Sequence, residues 1–148
     1  MTIEFEVLDD LISPGMQDYV ERTVTDKTFP WFYLPSVSLD DKEKDPFTGF
    51  THTTFNDEGF KGEYSDMLFP ILYSALGDIE MKRLYRIRLG MFIKNQNPSG
   101  AHTPHVDYPK NKHKTLIYYI NESDGPTNLY DKRDGKIVEQ IEFKKGRC

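Results

Sequence analysis

The sequence predicts an α+β protein, mainly β, in which short antiparallel strands form a sandwich or barrel buttressed by helices nearer the N-terminus. Apolar residues recur at helical spacing in two segments of the first half. Segments of the second half alternate with the period of two that marks strands, and Gly- and Asp-bearing turn sequences join them.

Taken in order, Ile3 to Leu8 alternates apolar and acidic residues, a strand with one solvated face. Ser13-Pro14-Gly15 opens a helix to about Thr25, with Ser13 at the N-cap and Pro14 in the first helical position. Met16, Tyr19, Val20 and Val24 form its apolar stripe. Trp31 to Val37 is aromatic and extended, bounded by Pro30 and Pro35, and Asp40 to Asp45 is a solvated charged loop. From Tyr64 to about Ile79, Met67, Leu68, Ile71, Leu72, Ala75, Leu76 and Ile79 fit an amphipathic helix whose last turn Gly77 weakens. Strands are predicted over Arg83 to Lys94, Thr115 to Ile120, Thr127 to Tyr130 and Lys136 to Phe143, with hairpin-type connections at Asn121 to Pro126 and Lys132 to Gly135. The reading is one domain over residues 1–148, with strands and helices over 1–81 and the main run of strands over 82–148.

Composition narrows the function classes. The chain has 148 residues, of which 37% are hydrophobic and 29% charged, the mix of a soluble globular domain. Ten Phe, nine Tyr and one Trp argue against disorder. A net charge of −5, with no basic stretch longer than Lys144-Lys145, disfavours a nucleic-acid face. No apolar run approaches the roughly twenty residues of a membrane helix. The first residues lack the basic and apolar regions of a secretory signal, and the single cysteine, Cys148, allows no internal disulfide. These features predict a cytoplasmic protein.

The chemistry concentrates in Asn97 to Tyr108, which holds His102 and His105 with Asp107 close behind. In an extended strand, residues i and i+2 share a face, so His105 and Asp107 would present an imidazole and a carboxylate side by side. Two such groups and a second histidine from elsewhere make the facial triad of non-haem Fe(II) oxygenases, which leaves one face of the metal open. A bare His-X-Asp also arises by chance in surface loops. Here it is followed by a polar loop, then Thr-Leu-Ile-Tyr-Tyr-Ile-Asn over 115–121, a Gly-bearing turn and Thr127.

From about Tyr85 to Gly146 this arrangement resembles the 2-oxoglutarate- and Fe(II)-dependent oxygenase superfamily, in its prolyl-hydroxylase-like branch. The resemblance implies a double-stranded β-helix, a cupin-like jelly roll of roughly eight strands. It implies His105 and Asp107 as iron ligands, and Fe(II) and 2-oxoglutarate as cofactor and co-substrate. Tyr118 matches a position that often hydrogen-bonds the 2-oxoglutarate carboxylate; as a residue it reads equally as a core tyrosine. Asn121 matches a strand-end position and suits a turn-capping role. Arg86 and Arg88 share one strand face, either solvated or lining a cavity that attracts an anion. His102 reads as a loop residue near the metal entrance, since Pro104 breaks any helix joining it to His105. His113 reads as solvent-facing. The implied reaction couples oxidative decarboxylation of 2-oxoglutarate by O₂ to hydroxylation of an unknown substrate, with a tilt by analogy toward a protein or peptide side chain.

The family pattern continues with a distal histidine and then an arginine for the far carboxylate of 2-oxoglutarate. Here no histidine follows His113, and the only later arginines are Arg133 and Arg147. The expectation is therefore a jelly roll lacking its last strands, through truncation in preference to divergence. Edges left unpaired this way would promote a homodimer. Two rival readings stand beside it: an inactive interaction protein on a partial jelly roll, and a cupin-like protein binding zinc through His102, His105 and Asp107.

Overall fold

A computed structural model describes residues 4–37, 47–93, 102, 104–106, 112–132 and 135–148. The chain divides into two units, one of residues 1–29, 66–81 and 108–148, the other of residues 30–65 and 82–107. The architecture is α+β, with small antiparallel sheets and, among the described residues, two α-helices. None of the described helices is long and apolar enough to cross a membrane.

In the first unit, helix α1 (Pro14–Thr25) starts as its sequence dictates. Ser13 has the extended backbone of an N-cap, Pro14 enters the first turn, and the Ser13 carbonyl accepts from Met16 and Gln17 N–H at 2.9 Å each. Its inner face is Gln17, Val20 and Val24, while Tyr19, expected on the apolar stripe, is half exposed. Gln17 is tolerated inside because its Nε2 donates to the Ile12 carbonyl at 3.0 Å, which satisfies the buried amide.

Helix α2 (Phe69–Leu76) is shorter than the apolar periodicity predicts. Pro70 cannot donate to a preceding turn and its ring would clash there, so the helix begins at this point and not near Tyr64. Gly77 closes it, donating to the Tyr73 carbonyl at 3.2 Å. Strands β5 (Thr127–Tyr130) and β6 (Ile137–Ile141) pair antiparallel as a hairpin, as expected, in the register Thr127↔Ile141 to Tyr130↔Ile137. A Cβ on Gly135 would overlap the Asp131 carboxylate, which would have to move from its bond to Lys136 N–H.

Residues 146–148 are bound on both sides. Leu8 and Cys148 exchange both backbone hydrogen bonds, at 2.9 and 2.8 Å, the pattern of an antiparallel pair. On the other side, Gly146 N–H donates to the Tyr119 carbonyl and Tyr119 N–H to the Arg147 carbonyl, at 2.9 and 2.8 Å. Two residues thus oppose one, and the first is a glycine at φ +82°, a bulge of the glycine type. Of the segments expected as strands, residues 4–8 (Ile3 lies outside the described residues) and Thr115 to Ile120 make these isolated pairings instead of continuous ladders. Side chains reinforce the tie. Asp9 accepts from Arg147 Nε and Nη2 at 2.7 and 3.1 Å and from Lys144 Nζ at 2.9 Å. Lys145 Nζ reaches both Asp18 and Glu21 of α1 at 2.6 Å.

The second unit is built on β2 (Gly49–Asn56). Strand β1 (Phe32–Leu34) pairs with its first residues and β3 (Gly59–Phe60) with its last, while β4 (Ile87–Phe92) runs antiparallel along its length. The sequence pattern does not announce β2, because its most buried side chains are His52 and Thr54 and not aliphatic residues. Strands β1–β3 also precede α2, so the order of helices first and strands after does not hold. Register slips between Thr53 and Phe55, and the Thr54 carbonyl accepts from Lys61 N–H at 2.8 Å and Ser65 Oγ at 3.0 Å.

Two outcomes test these ties. A Cβ on Gly146 would lie 2.7 Å from the pinned Gln17 amide at a backbone angle unfavourable to L-residues, so Gly146→Ala should cost about 2 kcal/mol in urea unfolding. The basic partners hold the Asp9 carboxyl well below the usual carboxylate range, the Arg147 hydrogen bonds contributing most. A folded-state value below the unfolded one adds stability above the unfolded value that is lost as pH falls. Asp9→Asn should therefore lower Tm at pH 7 by about 2 °C, less at high salt, with the difference narrowing below about pH 4.

Candidate functional site

The histidines of the motif segment belong to the second unit. His105 lies in irregular backbone with its side chain exposed, so an ion from solvent can reach it. Asp107 lies outside the described residues. His102 is half-buried against two rings: Phe47 meets it edge-on at 4.8 Å between centroids, and Phe92 of β4 is tilted against it at 5.1 Å. Those contacts make His102 part of an aromatic cluster at the end of the sheet. Among the described residues, no three His, Cys, Asp or Glu side chains assemble as a metal-binding group.

Tyr118 belongs to the first unit, next to the residue that pairs with Gly146 and Arg147. Its hydroxyl is buried and has no hydrogen-bond partner among the described residues. Burial raises its pKa above the ordinary tyrosine value; the positive charge of Lys145 opposes this, and Cys148 and Asp10 add to it. Leaving a buried hydroxyl unbonded costs roughly 1–3 kcal/mol. An acceptor such as a carboxylate would satisfy it, so on this observation Tyr118 fits the co-substrate contact that the resemblance implies. Its neighbour Tyr119 is a core residue, stacked on Phe143 at 4.1 Å with its hydroxyl donating to Thr127 Oγ1 at 2.6 Å.

The remaining motif residues are distributed as follows. Arg88 is exposed on β4 opposite Thr53, and Arg86 is half-buried just before that strand. Asn121 is exposed at a bend and His113 half-buried in irregular backbone. Arg133 lies outside the described residues, and Arg147 is held by Asp9. Burial pushes the Cys148 thiol up, opposed by a hydrogen bond to the Ile117 backbone.

One histidine not singled out by motif is placed most deliberately. His52 sits on β2 with Nδ1 2.9 Å from the Pro30 carbonyl, which can only accept, so Nδ1 carries the hydrogen. Its ring stacks with Phe32 and meets Tyr64 edge-on, beside a cavity of about 770 Å³. The alternation Thr51-His52-Thr53-Thr54-Phe55 was the available signal, since β-branched and aromatic residues favour strands even where the inward side chains are polar.

Tyr118→Phe removes a hydroxyl that bonds nothing described, so the variant should be as stable as the parent or more stable by about 1 kcal/mol. In the parent, absorbance titration of phenolate should show one tyrosine ionising above the others and missing from the variant. No protein-family model, curated protein or solved structure matches the chain.

Proposed function

We propose that the chain is a 2-oxoglutarate- and Fe(II)-dependent dioxygenase-like protein on a double-stranded β-helix scaffold, acting on a protein or peptide side chain. The observation that carries this reading is His105-Val-Asp107 followed at the family spacing by Tyr118-Tyr-Ile-Asn121. The antiparallel strands and the buried, unbonded Tyr118 hydroxyl support it.

On this reading His105 and Asp107 would hold the metal, and the resemblance gives Tyr118 the contact to a carboxylate of 2-oxoglutarate. Fe(II) and 2-oxoglutarate, with O₂, would supply the oxidising power to hydroxylate a C–H bond, with succinate and CO₂ as by-products. The chain contributes a neutral imidazole and an ionised carboxylate as donors, and in Tyr118 a proton that stays on the phenol oxygen throughout the neutral range. Because Tyr118 is already desolvated, its hydrogen bond to a bound carboxylate meets little competition from water.

A second reading, an interaction protein on the same scaffold, draws on Phe92, Ile93, Ile137 and Val138, which expose apolar surface on or beside β4 and β6.

Anaerobic addition of Fe(II) and then 2-oxoglutarate separates the two. A weak visible charge-transfer band should appear, be absent in His105→Ala and Asp107→Ala, and need about tenfold more 2-oxoglutarate in Tyr118→Phe. Absence of the band in the parent at millimolar 2-oxoglutarate would overturn the enzymatic reading in favour of the interaction protein.

A further inference from the structure

The cavity beside His52 lies wholly within the second unit, and its volume of about 770 Å³ is in the range that holds small ligands. Three of its lining residues, Phe32, His52 and Tyr64, carry rings. Phe32 lies over His52 with centroids 6.0 Å apart and planes 30° from parallel. Tyr64 stands against His52 at 5.3 Å and 88°. The three rings therefore form a corner in which ring faces meet near a right angle. The hydrogen bond from Nδ1 to the Pro30 carbonyl holds the middle ring in place, so the corner is formed before any ligand arrives. Phe32 is 61% exposed, so a ligand can reach its ring from solvent.

The charge on the walls selects the ligand. Lys61 and Glu63 both line the cavity. The Lys61 ammonium is 2.7 Å from Glu58, which matches its charge. Glu63 has no ion-pair partner among the described residues, so the unmatched charge is negative. Ring faces are also electronegative. An anion would meet both; a cation is attracted by both. A primary ammonium is strongly hydrated and would lose its water on entering such a corner, whereas an alkylated ammonium is weakly hydrated and gains ring contact.

We propose that the cavity bounded by Phe32, His52 and Tyr64, with Glu63 on its wall, is a binding site for a quaternary ammonium group. This needs no metal and stands apart from the oxygenase reading. Such a group occurs on a small alcohol such as choline and on a trimethylated lysine side chain, and the two probes distinguish these sources.

Calorimetric titration of the full chain with choline chloride and, separately, Nε-trimethyllysine should give saturable binding of at least one at millimolar concentration. The neutral isostere 3,3-dimethyl-1-butanol should bind about tenfold more weakly, and Phe32→Ala and Glu63→Gln should each weaken binding about fivefold. Both substitutions fall on exposed side chains, and far-ultraviolet circular dichroism checks that the variants fold. No saturation by either cation up to about 50 mM, an isostere that binds as well as choline, or variants that bind like the parent would overturn the proposal.

Discussion

The first unit depends on one backbone constraint, the double pairing of residues 146–148 with Leu8 on one side and Tyr119 on the other. These contacts join the two ends of the chain, and closing so long a loop costs entropy before any contact repays it. The bulge at Gly146 makes the pairing feasible. A left-handed residue turns the chain after Lys145, Gly146 lies flat on Gln17, and Arg147 and Cys148 continue between their partners. Charges then sort themselves along the segment: Lys144 and Arg147 reach Asp9, and Lys145 reaches α1. Each pair is at least partly exposed and individually weak, but together they fix which side chains of the segment face which neighbour.

The same constraint bears on the candidate co-substrate contact. Tyr119 is fastened by its backbone to Gly146 and Arg147 and by its ring to Phe143. Tyr118, one residue earlier, carries a buried hydroxyl that nothing described satisfies. A buried hydroxyl left unbonded costs stability that phenylalanine at that position would not.

The second unit is organised differently, around a strand whose inner side is polar. Thr54 is completely buried and His52 nearly so, and their strand is held by bonds to Pro30, Lys61 and Ser65 as much as by its ladder. The Thr54 bonds are made by its backbone carbonyl, while its buried hydroxyl has no partner among the described residues. The strand also places an imidazole held by Pro30 between Phe32 and Tyr64, on one side of the open cavity beside the sheet.

The sequence by itself determined α1, the β5–β6 hairpin and most of β4, because each is set by local periodicity, a proline or a turn glycine. It also offered His105 and Asp107 as a candidate pair, since they are two positions apart and need no folding to be noticed together. The tertiary structure decided what depends on contacts between distant segments. It made β2 a central strand despite its polar inner face, reduced residues 4–8 and Thr115 to Ile120 to single pairings on either side of residues 146–148, and left the Tyr118 hydroxyl buried with no partner among the described residues. The Phe32–His52–Tyr64 corner belongs wholly to this second class. Its rings come from three separate stretches of chain, and no spacing along the sequence encodes the angle at which they meet.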